Sequence, residues 1–128
     1  MKKLFVALFA LALATPVFAQ PYPNITIDEL KAAIGDKSVT ILDVNGTETY
    51  NEGHIPGAID YIAVKEDIAG KLPSDKSSLI VAYCGNEACG AYAAAAKAAK
   101  DLGYTNVKHF SPGLSGWKAA GESLEKGS

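Results

Sequence analysis

One uninterrupted apolar segment, Leu79 to Tyr83, constrains the fold of this 128-residue chain more than any other feature. A strand with one face in solvent alternates apolar and polar residues, whereas a strand covered on both faces is apolar throughout. The segment Val39 to Val44 is a second run of apolar and β-branched residues. Segments with helical character separate such runs along the chain, which predicts parallel strands joined by crossover helices.

We therefore predict an α/β fold with a central, mostly parallel five-stranded sheet and helices on both faces. The predicted strands are residues 24–27, 39–44, 58–62, 79–83 and 107–110. The predicted helices are residues 29–34, 65–71, 91–102 and 114–119, with a turn and a short helix over 46–53. Residues 121–128 are polar, and we expect them to fray.

The N-terminal 19 residues have the layout of a secretory signal peptide. Lys2 and Lys3 precede an apolar run, Leu4 to Ala14, which is short for a bilayer span of about 20 residues. Small residues ending at Ala19 predict cleavage there. We expect a periplasmic or secreted protein without membrane association after cleavage. Residues 20–128 would form one domain with a core over about 24–120.

The charge of the mature chain excludes several classes of partner. Removal of Lys2 and Lys3 leaves ten lysines against fourteen acidic residues, so the formal charge changes from −2 to −4. This balance disfavours nucleic acid and anionic membranes as partners. The chain has no arginine, so a guanidinium fork for phosphate, sulfate or carboxylate is absent. We expect a monomer.

The two cysteines, Cys84 and Cys89, are separated by four residues. A disulfide across so short a loop would add little stability through chain entropy. These thiols and the two histidines, His54 and His109, lack the paired spacing of zinc ligands, so we expect no metal and no other cofactor. A sulfur-handling or redox role is then the main functional interpretation of the pair.

Cys84 follows the most apolar predicted strand, at the edge of the sheet where α/β proteins bind ligands. A helix is predicted to begin just after Gly90, and Gly85 and Gly90 permit a tight loop between strand and helix. Loop amides and a helix N-terminus lower the pKa of a thiol, which predicts a reactive thiolate. The alternative is that Cys84 is a small buried apolar residue.

Four motifs along the chain together resemble the rhodanese family, over about residues 24–120. They are Leu42-Asp43-Val44, Gly53-His54-Ile55-Pro56-Gly57-Ala58, Val81-Ala82-Tyr83-Cys84 and Gly113-Leu114-Ser115-Gly116-Trp117. The resemblance implies a sulfurtransferase in which Cys84 carries sulfane sulfur as a persulfide and passes it to a thiol acceptor. The implied donor is a polysulfide, a persulfide or thiosulfate. The implied amide cradle consists of Gly85, Asn86, Glu87, Ala88, Cys89 and Gly90.

Three positions depart from the pattern of that family. Asn45 stands where an arginine is usual, and Ala88 stands where a basic or hydroxyl residue is common. Glu87 adds a negative charge, which should repel thiosulfate and raise the pKa of the thiol. Phosphatases that resemble this fold have a loop one residue longer and an arginine after it, so phosphatase activity is disfavoured.

The residues leave two other functions open. Cys89 as a resolving thiol would make the chain a redox-active dithiol protein that uses Cys84 and Cys89. A binding module that has kept the fold without turnover is the other alternative, and it predicts an unreactive Cys84.

Overall fold

The computed structural model describes residues 22–127, and the predicted signal peptide, residues 1–19, lies outside them. The elements are α1 (Ile27–Gly35), β1 (Val39–Asp43), α2 (Thr47–Glu52), β2 (Ile59–Asp60), α3 (Tyr61–Val64), a 3-10 helix (Lys65–Lys71), β3 (Leu79–Tyr83), α4 (Tyr92–Asp101), β4 (Asn106–His109) and α5 (Gly113–Ala119). All strands are parallel, in the order β2-β1-β3-β4. No helix within the described residues is long and apolar enough to span a membrane.

Strand β3 is the centre of the sheet, as its composition predicts. It pairs in register with β1 from Val39↔Leu79 to Asp43↔Tyr83, and with β4 on its other side. The segment from Ile80 to Tyr83 has no solvent exposure. The predicted α/β fold, with a parallel sheet and helices on both faces, is confirmed.

The two faces of the sheet form separate core layers. Alternate residues of β3 divide between them, because successive side chains of a strand point in opposite directions. Ile80 and Ala82 pack with α4, whose alanines on the inner side let the helix lie close to the sheet. Val81 and Tyr83 pack with α1, α2 and α5 in the opposite layer.

The predicted strand over residues 24–27 is wrong, because a helix begins inside it. Asn24 forms only an isolated parallel bridge with His109 of β4. The Thr26 hydroxyl accepts from the Glu29 amide at 3.1 Å, and the Glu29 carboxylate accepts from the Thr26 amide at 3.3 Å. This capping box starts α1 at Ile27. The sheet of the described residues therefore has four strands rather than five.

The frayed tail predicted for residues 121–128 is also wrong over 121–127. His54 and Glu125 form an antiparallel bridge through two backbone hydrogen bonds of 2.9 Å. The Trp117 indole donates to the Ser123 carbonyl oxygen at 2.8 Å. Leu124 lies over Gly53, where an added Cβ would approach its Cδ1 atom to 2.8 Å. Backbone pairing, the indole hydrogen bond and the Leu124 contact together attach the tail to the domain.

Gly113, the first residue of α5, brings that helix against the loop that follows β3. The amides of Leu114 and Ser115 donate to the carbonyl oxygens of Cys84 and Gly85 at 2.9 and 2.8 Å. Gly113 has a φ of +63°, and a Cβ there would lie 2.5 Å from the Cys84 carbonyl oxygen. Only glycine fits between α5 and this loop.

We predict that Gly113→Ala destabilises the protein far more than Gly121→Ala. Gly121 also has a positive φ, +78°, but a Cβ there would meet nothing within 4 Å. The free energy of unfolding of the Gly121 variant should fall by about 1–2 kcal/mol, because alanine is strained at a positive φ. The free energy of unfolding of the Gly113 variant should fall by a further ~1–3 kcal/mol, because the added methyl group displaces backbone atoms. Urea unfolding measures both, and equal losses would contradict the proposed close approach.

Candidate functional site

Cys84 is the first residue after β3 and lies at the carboxyl end of the sheet, as the sequence predicts. Its side chain belongs to the core layer between the sheet and α4. The residue is 1% exposed, so the sulfur is enclosed by protein rather than presented to solvent.

Two backbone amides at the start of α4 act on the Cys84 sulfur. The Tyr92 amide donates to Sγ at 3.0 Å, and the Ala91 amide also hydrogen-bonds to it. The thiol in turn donates to the Cys89 carbonyl oxygen, with a separation of 3.6 Å. The amides lie where the helix dipole is positive, so both favour an anionic sulfur.

The amide cradle differs from the one that the sequence predicts over residues 85–90. Within that loop, the Ala88 amide donates to the Asn86 side-chain oxygen at 2.9 Å. The Cys89 amide donates to the Asn86 carbonyl oxygen at 3.3 Å. These two amides therefore fold the loop, and the donors to sulfur are the next residues along, Ala91 and Tyr92. The predicted helix start after Gly90 was the available signal for them.

The predicted decrease in the pKa of Cys84 is wrong. Burial of the sulfur raises the pKa of the thiol to about 12 from an ordinary value of 9.0, and contact with the Cys89 side chain raises it further. The Tyr92 and Ala91 amides lower the pKa, but by less than burial raises it. The resting thiol is therefore protonated at neutral pH.

Cys89 is half-buried, and both cysteines are free thiols. Cys89 lines a cleft of about 510 Å³ beside the loop. The lining consists of Asn24, Glu87, Ala88, Cys89, Gly90, Tyr92, His109 and Ser111. Cys84 lies behind this lining, since its thiol contacts both Cys89 and Tyr92.

His109 is a polar residue of the cleft for which the sequence predicts no function. It is 3% exposed, and its ring stacks on that of Tyr92 with centroids 3.3 Å apart. Within residues 22–127, neither ring nitrogen has a hydrogen-bond partner. Burial lowers the pKa of the imidazole, which keeps it neutral. Its neighbours in the cleft come from separate parts of the chain, so no sequence motif marks the cleft.

Asp43 and His54 have structural roles on the opposite side of the sheet. The Asp43 carboxylate accepts from the Tyr83 hydroxyl and, at 2.7 Å, from the Asn45 amide, and burial raises its pKa. His54 Nδ1 lies 2.8 Å from the Tyr50 carbonyl oxygen, so its ring satisfies a local backbone group. In the described part of the chain, no group of three or more His, Cys, Asp or Glu side chains could hold a metal ion.

Three comparisons relate this geometry to known proteins. The chain is 36% identical over 115 residues to the HTH-type transcriptional regulator Rv0324 of Mycobacterium tuberculosis, covering 89% of this chain and 50% of the regulator. The rhodanese-like domain of the Anabaena protein Alr3790 superposes with a TM-score of 0.65 at 30% identity, covering 81% of this chain and 79% of that one. A thiosulfate sulfurtransferase from Pseudomonas aeruginosa superposes with a TM-score of 0.68 at 25% identity, covering 81% of this chain and 20% of that one.

The chain spans about half the length of the curated relatives that it matches. The likeness to the thiosulfate sulfurtransferase supports sulfur transfer at the level of the family. The model of the rhodanese-like domain matches residues 26–120, so the chain belongs to the rhodanese-like domain family.

Proposed function

We propose that the chain is a sulfurtransferase that carries sulfane sulfur as a persulfide on Cys84. The observation that carries this proposal is the Tyr92 amide, which donates to the Cys84 sulfur at 3.0 Å at the carboxyl end of the central strand. Amides directed at this point would stabilise an anionic sulfur as it forms, without reorganisation during the reaction. Family membership supports the same chemistry.

The reaction has two balanced steps. Cys84 loses its proton, and its thiolate attacks the outer sulfur of a donor R–S–SH. The bond between the two donor sulfurs breaks, a Cys84–S–SH persulfide forms, and the leaving RS⁻ takes up the proton that Cys84 lost. An acceptor thiol then attacks the outer sulfur, which regenerates Cys84 and yields the acceptor persulfide. The covalent intermediate divides the transfer into two steps.

The charge of the site favours a persulfide or polysulfide as the donor over thiosulfate. Thiosulfate is a dianion, and Glu87 on the exposed loop would repel it. The chain contains no arginine to compensate. A donor of low charge and a thiol acceptor are therefore the proposed partners.

Export of the chain is part of the proposal, and it is supported by the signal-peptide layout of residues 1–19. The mature protein would then act in the periplasm or outside the cell. The intact mass of protein recovered from that compartment tests this, because cleavage after Ala19 removes a defined mass. Retention of residues 1–19 would contradict export by this route.

We predict that alkylation of Cys84 depends steeply on pH up to about pH 11. Because its pKa is raised to about 12, the thiolate fraction should increase about tenfold per pH unit from pH 7 upward. The measurement is the rate of iodoacetamide labelling at each cysteine, read by peptide mass spectrometry.

The control is the same protein unfolded in urea, where the labelling rate should be half-maximal near pH 9, the ordinary pKa of a thiol, and level off above it. The slope of the labelling rate against pH separates acidity from access, since restricted access alone lowers the rate equally at every pH. A plateau near pH 7 in the folded protein would contradict the raised pKa.

We predict that incubation with polysulfide adds one sulfur atom to the mature protein and to Cys89→Ser, but not to Cys84→Ser. The reason is that the amides of Ala91 and Tyr92 act on the Cys84 sulfur. Intact-mass spectrometry measures the gain, and a thiol added afterwards should remove it.

The same spectra distinguish the two alternatives. A loss of two hydrogens that requires both cysteines would favour the dithiol function, in which Cys89 displaces H₂S from the persulfide and closes a disulfide. No change in mass with any donor would favour a binding module and would overturn the proposed sulfur transfer.

We predict that Glu87→Gln improves turnover with thiosulfate by about threefold to tenfold at low salt, because it removes a charge that repels a dianion. The measurement is kcat/KM for thiosulfate at two salt concentrations. The improvement should shrink at high salt, where screening already weakens the repulsion.

Glu48→Gln is the matched control, because Glu48 is also exposed but lies on α2, outside the cleft lining. It changes the net charge equally and should leave the thiosulfate rate unchanged. If Glu87→Gln brings no improvement, the charge at this position does not select the donor.

A further inference from the structure

Among the described residues, the buried imidazole of His109 lacks hydrogen-bond partners that a ligand in the cleft could supply. A neutral imidazole has one donor and one acceptor nitrogen, and buried polar groups of this kind are normally hydrogen-bonded. In the described part of the chain, both ring nitrogens of His109 are buried without a partner, although the residue lines the cleft. Stacking on Tyr92 holds the ring beside the residue whose amide contacts the Cys84 sulfur.

The other residues of the cleft define the chemistry of a ligand there. Glu87 is the charged side chain of the lining, and Asn24 and Ser111 add neutral polar groups. Burial keeps His109 neutral, so the imidazole does not offset the charge of Glu87. The cleft is therefore polar and negatively charged, which suits a small polar ligand with a positive charge.

We propose that this cleft binds the sulfur acceptor, and that the acceptor is a small thiol that carries an ammonium group. The ammonium group pairs with Glu87 and donates a hydrogen bond to the acceptor nitrogen of His109. Its thiol lies toward Cys89 and Tyr92, the two residues of the lining that contact the Cys84 thiol. This inference rests on the proposed sulfur transfer and names the class of its acceptor.

The transfer to this acceptor is balanced. The aminothiol loses its proton and attacks the outer sulfur of Cys84–S–SH, and the bond between the two sulfurs of the persulfide breaks. The products are the aminothiol persulfide and the Cys84 thiolate, which takes up the released proton. No oxidant or reductant is consumed.

The first test loads the protein with polysulfide and compares three acceptors of similar size, cysteamine, 2-mercaptoethanol and mercaptoacetate. After normalisation to the rate of each thiol with a small-molecule polysulfide, cysteamine should have the highest kcat/KM and mercaptoacetate the lowest. We expect the preference for cysteamine to be about tenfold and to lie mainly in KM, as for an ion pair in a partly solvated cleft.

Two variants test the proposed contacts. Glu87→Gln should abolish most of the ranking of the three acceptors by charge. His109→Phe should raise the KM for cysteamine and leave the KM for 2-mercaptoethanol nearly unchanged. Phenylalanine retains the ring stacking and removes the two nitrogens, so the melting temperature should be retained or raised. A fall in melting temperature with no change in KM would assign His109 a structural role and overturn its contact with the acceptor.

A second measurement does not depend on sulfur loading. In Cys84→Ser, the rate of mixed-disulfide formation at Cys89 is measured with cystamine, bis(2-hydroxyethyl) disulfide and dithiodiglycolate, with Glu48→Gln as the charge control. A preference for cystamine that Glu87→Gln removes would support the cleft's ligand class. Equal normalised rates would overturn the inference even if Cys84 loads sulfur. If the disulfides rank by charge but Cys84 never loads sulfur, the proposed function is overturned instead.

Discussion

The hydroxyl of Tyr83 organises the carboxyl end of this sheet. It donates to the buried carboxylate of Asp43, at the end of β1, and accepts from the Ile55 amide at 3.1 Å. Burial, followed by the nearby Asp43 charge, raises the pKa of Tyr83, so the hydroxyl keeps the proton that it donates. A buried carboxylate without this donor would be costly, because an uncompensated charge in the core is strongly destabilising. The interaction therefore joins three segments, and Cys84 is the residue that follows Tyr83.

The alternation of side chains along the strand places the Tyr83–Asp43 hydrogen bond and the Cys84 sulfur on opposite faces of the sheet. Tyr83 points into the layer of α1, α2 and α5, and Cys84 points into the layer of α4. The position of the sulfur is thus set by contacts on the other face of the sheet, through a backbone that cannot shift without breaking the Asp43 interaction. Gly113 adds a second constraint, since its missing side chain lets α5 hold the carbonyl oxygen of Cys84. The loop is fixed from both sides before any ligand binds.

Local patterns predicted those parts of the fold that depend on local physics. The apolar run of β3 matched the strand residue for residue, because complete burial leaves a continuous signal in sequence. The strand predicted around Thr26 was wrong because a capping box competes there with a short β-branched run, and the helix is the more stable structure. Cys84 could be found from its place after β3. The direction of its pKa shift could not be predicted, because the burial of the sulfur depends on how α4 and the Cys89 carbonyl group cover it in the folded chain. The cleft was missed because Asn24, Glu87 and His109 meet only in the folded chain.

The absence of arginine divides the electrostatic tasks of the site between two kinds of group. Stabilisation of an anionic sulfur falls to the backbone amides of Ala91 and Tyr92, which carry no net charge and do not titrate. Their effect is short-ranged and little changed by salt, because it acts through direct hydrogen bonds inside a buried site. In the proposed transfer, selection among ligands falls to Glu87, a full charge on an exposed loop whose influence extends farther and is screened by salt. A cationic side chain would have coupled the two, since it would stabilise the sulfur anion and attract anionic ligands together. In the proposed transfer, sulfur stabilisation therefore depends mainly on these amides, and ligand selection depends mainly on the charge of Glu87.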